Sequence, residues 1–267
     1  MFLYRAAAIV LRQFYLMRGS PSRILPLFIW IAVDMVMWGF MTRYLNHFAT
    51  GGFDFVPALL GAVVFWDFFI RIMQGVTITF FEDVWSRNFL NIFATPLSIP
   101  EYLCGLVLSS IATSTIAVAV MFILASLIFG LSFSIYGLML FPLLFVLFIF
   151  GIALGVAGSA VVLRLGPASE WFIWPIPALL SPFVGVLYPL STLPDWMRFF
   201  SWLLPPSYVF EGMRATISGG AISVGALLWG GVLALIYLVC AFIFFVRIHK
   251  HAVRTGLLAR YSAETLS

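Results

Sequence analysis

Residues 135–163, IYGLMLFPLLFVLFIFGIALGVAGSAVVL, run without a single charged side chain. A helix needs about 20 such residues to cross the hydrocarbon core of a bilayer. Five further stretches of similar character lie at 24–44, 55–80, 102–129, 171–190 and 225–247. A water-soluble fold cannot hide that much apolar surface. Here 63% of residues are hydrophobic and 9% charged, against roughly 45–50% and about 25% in soluble domains. The pattern predicts an all-α integral membrane protein, a single domain over 1–267 with six transmembrane helices between residues 24 and 247. Pro175, Pro177, Pro182 and Pro189 interrupt the fifth stretch, which reads as a broken helix whose freed backbone groups are satisfied by its neighbours.

Arginine and lysine set the expected orientation. Arg5, Arg12, Arg18 and Arg23 precede the first span, and Arg247, Lys250, Arg254 and Arg260 follow the last. Positive charge collects on the cytoplasmic side, so both termini are expected there, with 248–267 as a cytoplasmic tail. The loops 81–101 and 164–170 then face inward, and 45–54 and 191–224 outward. Within 1–22, Leu3, Ala7, Val10, Phe14 and Met17 recur at helical spacing opposite Arg5 and Arg12, the pattern of an amphipathic helix lying in the membrane interface. Membrane anchoring and partner docking both fit that helix. The four arginines interrupt any short apolar core, so this stretch does not read as a cleavable signal.

Several chemistries are disfavoured. The net charge of +4 gathers near the two ends instead of forming a stripe, so nucleic acid is not an expected partner. A P-loop ATPase needs G-x-x-x-x-G-K-[ST], and the one lysine, Lys250, lies in the unrelated string RIHKH. His47, His249 and His251 fall at span ends, while Cys104 and Cys240 lie far apart in apolar runs. Neither a metal site nor a general base is therefore expected within the spans. No catalytic residue, metal ligand or resident cofactor is assigned to this chain.

Three ionisable residues fall at membrane depth: Asp34 in the first span, and Asp67 and Arg71 in the second. Each is costly facing lipid. Asp67 and Arg71 are spaced i, i+4 and share a helix face, and a bridge to Asp34 is within reach. A buried ionic clasp between the first two spans and a proton or substrate path are both open readings. In the fourth span, GIALG at 151–155, continued by Ser159, places small residues on one face, where they allow helices to approach closely within the bundle.

Two loop segments carry further information. In FFEDVWSRNFLNIFATPLSIPEYLCG, residues 80–105, an acidic pair and an arginine precede a short amphipathic helix, then Pro-Leu-Ser and another glutamate. In YPLSTLPDWMRFFSWLLPPSYVFEGMRA, residues 188–215, Pro189, Leu193, Pro194, Trp196, Pro205, Pro206, Tyr208, Glu211 and Arg214 follow one another in a set order. Both segments, together with residues 12–45, resemble the type 2 ABC exporter permeases, which move polysaccharides, lipid-linked glycans and drugs. The resemblance covers essentially the whole chain. It departs at Asn88-Phe89-Leu90-Asn91, where many members have Gly-Thr and further glutamates.

The resemblance implies a cytoplasmic coupling helix with Glu82, Asp83, Arg87, Pro96 and Leu97 at the ATPase contact. It also implies re-entrant helices on the external side, built around Pro194, Trp196, Pro205, Pro206, Tyr208, Glu211 and Arg214. Two copies of an ABC ATPase subunit would supply ATP and Mg, and a second copy of the permease would complete the pathway in a bacterial inner membrane. An amphiphilic substrate would then cross by alternating access, with Phe172, Trp174 and Phe183 of the fifth span along the route. The competing expectation is an ion-gradient-driven transporter that relies on Asp34, Asp67 and Arg71.

Overall fold

The computed structural model describes residues 2–19, 21–48, 54–86, 89–220 and 223–256. It is all-helical among these residues. The helices are α1 (Phe2–Arg18), α2 (Pro21–Phe48), α3 (Gly61–Trp85), α4 (Phe89–Ala94), α5 (Ile99–Phe129), α6 (Leu140–Leu165), α7 (Ile176–Val184), α8 (Asp195–Ser201), α9 (Pro205–Ile217) and α10 (Val224–Arg254). A π-helical turn, Val56–Leu60, leads into α3, and a 3-10 turn, Phe133–Met139, leads into α6.

Four helical stretches among the described residues are long and apolar enough to cross a membrane: Val56–Trp85, Ile99–Phe129, Phe133–Leu165 and Val224–Arg254. They extend past the predicted apolar stretches, because backbone hydrogen bonding does not stop where lipid gives way to water. Local caps set the ends instead. At the start of α5, Ser98 and Glu101 form a reciprocal capping box, the Ser98 N–H donating to Glu101 Oε2 at 2.8 Å. Its other end closes on Gly130 in the left-handed conformation, φ +72°. The predicted first span lies within α2, which is 28 residues long.

The fifth predicted span is broken, as its prolines imply. A 3-10 turn, Pro167–Phe172, gives way to α7, nine residues with Pro182 inside it. Nine helical residues rise only about 14 Å, less than half of the roughly 30 Å hydrocarbon core. The outward loop predicted at 191–224 contains the two short helices α8 and α9.

At the centre, α6 packs against α10 on one side and α3 on the other, and α3 packs in turn against α5. The GIALG pattern is what brings α6 onto α3. A Cβ on Gly155 would lie 2.8 Å from the Met73 carbonyl oxygen, and one on Gly151 would lie 3.0 Å from Ile72. Ser159 Oγ donates to the Gly155 carbonyl at 2.9 Å and so adds no unpaired group to this seam. Phe69 stacks on Phe150 with centroids 5.6 Å apart.

Two ends can be distinguished. The first gathers α1, the end of α3, the start of α5 and the ends of α6 and α10. There Arg5 pairs with Glu101 at 3.3 Å, Trp85 Nε1 donates to Glu170 at 3.1 Å, and Phe80 meets Phe245 edge-on. The opposite end gathers the ends of α2 and α5 with α9 and the start of α10, where Phe40 meets Phe129 and the Tyr208 ring closes on Gly230. Among the described residues, α2 and the segment around α7 border one face of α3, and a groove remains there.

Candidate functional site

The groove consists of two consecutive cavities, and three helical stripes explain where its polar residues sit. On α3, Asp67, Ile70, Arg71, Gln74, Gly75 and Ile78 fall at spacings of three and four and line one face. On α2, Trp30 and Asp34 point to the same space, and Trp38 continues their stripe toward the other end. On α5, Ser109, Thr113, Ser114 and Ala117 complete the wall. The inner cavity encloses about 580 Å³ and reaches Gln13, Met17 and Glu82 at the α1 end. The outer cavity, about 540 Å³, is lined by Trp38, Trp66, Pro177, Pro182, Leu187 and Tyr188 among others. Ile70, Gln74 and Trp174 line both.

The structure brings Asp34, Asp67 and Arg71 together around the inner cavity, within electrostatic range of one another. It does not join them in a clasp. Asp67 is 8% exposed, yet its Oδ2 has no hydrogen-bond partner, and neither has the Nε of Arg71. The shared face is filled by open space instead of by a bond. Asp34 and Arg71 are half-buried at its rim.

The expected coupling residues part company. Glu82 reaches the floor of the inner cavity. Asp83, one position on, turns the other way and is 2% exposed. It forms an ion pair with Arg12 and accepts a hydrogen bond from Tyr102 Oη at 2.8 Å, so it ties α1, α3 and α5 together and offers no surface of its own. Arg87 lies outside the described residues. Pro96 is exposed, and Leu97 is half-buried against the core, between the six-residue α4 and the capping box of α5.

The N-terminal helix also places its two faces differently from a helix lying against water. Leu3, Ala7 and Phe14 are exposed on the outside of the bundle, whereas Arg5 and Arg12 turn inward to Glu101 and Asp83. Ala6, Ile9 and Gln13 are the buried contacts. The basic face therefore meets protein carboxylates, which the pattern of α1 alone could not reveal.

At the other end, Glu211 and Arg214 of α9 hold the chain that follows α7. Arg214 donates to the Gly185 carbonyl at 2.7 Å and to Glu211 Oε1 at 2.9 Å, while the Leu190 N–H donates to the same oxygen at 2.8 Å. Gly185 ends α7 at φ +64°, where an L side chain is strained. Tyr208 Oη donates to the Trp202 carbonyl at 2.8 Å, Pro205 and Pro206 are buried at the first turn of α9, and Trp196 is exposed, its edge against Phe183. Pro194 caps α8 and is exposed.

Of the aromatic residues expected along the route, Trp174 lines both cavities. Phe172 is 72% exposed, and Phe183 packs against Trp196 and Phe200. The 3-10 turn before α7 re-phases the side chains, so a continuous 3.6-residue period does not describe them. Sequence reasoning missed the α5 wall. Its signal was the run of serines and threonines at helical spacing in an apolar span. Two of them join helices directly: Ser110 donates to the Ile72 carbonyl at 3.0 Å, and Ser114 to that of Arg71 at 3.2 Å.

No curated protein is matched by the sequence. The profile of one family, described as ABC-2 type transporter, matches residues 5–218, from the inward-turned arginines of α1 to the end of α9, and the chain belongs to that family.

Proposed function

We propose that this ABC transporter permease exports an amphiphilic substrate, with two permease copies forming the pathway and two ABC ATPase subunits driving it. One observation carries the reading: the polar stripe of α3 borders two successive cavities that share Ile70, Gln74 and Trp174. A second copy set against the exposed faces of α2 and α7 would close the groove into a route. Trp30, Met37, Phe40 and Leu179 are 55–66% exposed there. In this reading α2 and the broken α7 segment complete six crossings, and α8 and α9 re-enter from outside.

The end that gathers α1 carries Arg5, Arg12, Arg18, Arg164, Arg247, Lys250 and Arg254, which favours the cytoplasmic side of a bacterial inner membrane. The surface around α4, with exposed Asn91, Ala94 and Pro96, is then available to an ATPase. ATP binding would move α4, and α1 would follow through its ion pairs. The two halves would exchange inward-facing and outward-facing states by rigid-body rocking.

Affinity purification of the tagged chain from native membranes in mild detergent tests this, with ATPase assay and mass spectrometry of the recovered partners. A cassette ATPase is expected, and Glu82→Ala combined with Arg87→Ala should release it. Recovery of the chain alone, with substrate uptake driven by a pH gradient, would replace this reading with the gradient-driven one, which the unpartnered Asp67 oxygen favours.

A further inference from the structure

The inner cavity is rich in acceptors. Every hydroxyl in its wall has already given its hydrogen to a carbonyl oxygen, which can only accept. Ser109 donates to Gly105 at 2.9 Å, Thr113 to Ser109 at 3.0 Å, Ser114 to Arg71 at 3.2 Å and Thr79 to Gly75 at 2.7 Å. What remains for a ligand is the oxygen lone pairs of these groups. Asp67 adds a buried carboxyl oxygen with no donor, and Asp34 adds a second carboxyl group at the rim. Against these acceptors stand the Arg71 guanidinium and the amides of Gln13 and Gln74.

We infer that the inner cavity binds an organic cation, its positive head held by Asp67 and Asp34 and its apolar body extending past Trp174 into the outer cavity. This deepens the permease reading and rests on it. A carboxylate oxygen left without a donor in an apolar bundle is costly, and a cationic head supplies the missing partner. A bare metal ion does not suit the site, since no group of three His, Cys, Asp or Glu converges among the described residues. The volume of about 580 Å³ is that of a small-molecule site. Trp30 and Trp174 line the cavity, and indole rings attract an organic cation. An anion would have Arg71 on its side but would face Asp34, Asp67 and Glu82 as well.

The test uses two probes of nearly the same shape and opposite charge, radiolabelled tetraphenylphosphonium and tetraphenylborate, in equilibrium binding to the chain in lipid nanodiscs. Saturable phosphonium binding is expected, displaced by dodecyltrimethylammonium and not by dodecyl maltoside, with no comparable binding of the borate. Asp67→Asn should weaken it by about tenfold or more, Asp34→Asn should weaken it less, and Asp67→Glu should restore most of it. Asp195→Asn, at an exposed carboxylate of α8, serves as the unchanged control. If Asp67→Asn does not fold, Ser109→Val and Thr113→Val remove acceptors from the same wall and should weaken phosphonium binding.

Equal binding of both probes overturns the proposal, as does phosphonium binding that ignores these substitutions. Binding of neither probe, with a proton taken up at Asp67, also overturns it and makes the site a proton relay. Co-purification of the ATPase is scored on the same preparations. Phosphonium binding without an ATPase leaves the cation site standing and removes the permease reading. An ATPase recovered with charge-blind binding does the reverse.

Discussion

Arg12 of α1 forms an ion pair with Asp83 of α3, a carboxylate 2% exposed that also accepts the Tyr102 hydroxyl of α5 at 2.8 Å. Three elements separated in sequence thus meet on one side chain, beside the segment that the permease reading assigns to ATPase contact. Removing one partner of such a pair leaves a buried charge uncompensated. Arg12→Ala is therefore expected to cost about 3 kcal/mol, and Tyr102→Phe about 1 kcal/mol. Thermal or denaturant unfolding in detergent measures both. Arg12→Ala should also loosen α1, so that proteolysis cuts first at its junction with α2; an intact junction would contradict a role for the Arg12–Asp83 pair in holding α1.

The seam between α3 and α6 depends on a missing side chain. Gly155→Ala puts a Cβ 2.8 Å from the Met73 backbone oxygen, which cannot rotate away. The two helices must separate, at a cost of about 1–3 kcal/mol. Gly231→Ala is the contrasting substitution, since its nearest neighbour would be Val146 at an ordinary 3.8 Å. It should be neutral or stabilise by up to about 1 kcal/mol through helix propensity. Parallel melting curves of the two variants decide the matter.

The latch at the far end should be specific to a guanidinium. Arg214 serves the Gly185 carbonyl and the Glu211 carboxylate at once, 2.7 and 2.9 Å away. The ammonium of Arg214→Lys cannot reproduce that fork, so Lys should recover little of the roughly 2 kcal/mol lost in Arg214→Ala. Gly185→Ala should be as damaging, because its φ of +64° is unfavourable for alanine and its Cβ would sit 2.8 Å from the Tyr188 oxygen. Faster hydrogen exchange confined to residues 185–193 is the expected signature in all three variants.

Ser110 and Ser114 each donate from α5 to a carbonyl of α3, and hydrogen bonds of this kind between membrane helices contribute about 0.6 kcal/mol apiece. The double variant Ser110→Ala/Ser114→Ala should therefore lose only about 1 kcal/mol, readable by steric-trap or denaturant unfolding. A much larger loss would mean that these serines hold more than the two helices.

Much of the fold was legible because hydrophobic runs and prolines act locally. The positions of four spans, the break at Pro175–Pro182 and the small-residue face at Gly151 and Gly155 all follow from the identity and spacing of neighbouring residues. The direction in which a charged side chain turns does not. Glu82 and Asp83 are adjacent in sequence and alike in chemistry, yet one faces a cavity and the other a buried arginine from α1, about 100° of helical rotation apart. Arg5 and Arg12 read as a polar face and prove to be the inward one.

The chain alone determined that it must live in a membrane, since its apolar runs cannot be buried any other way, and it marked Asp34, Asp67 and Arg71 as costly residues in need of a reason. Their arrangement came from long-range packing. Glycines of α6 draw that helix onto one side of α3, serines of α5 bond to another, and α2 and the segment around Trp174 border the rest without filling it. The space left over, with an unpartnered carboxyl oxygen beside it, is set by α1, α2, α3 and α5 at once, and no window of sequence contains all of them.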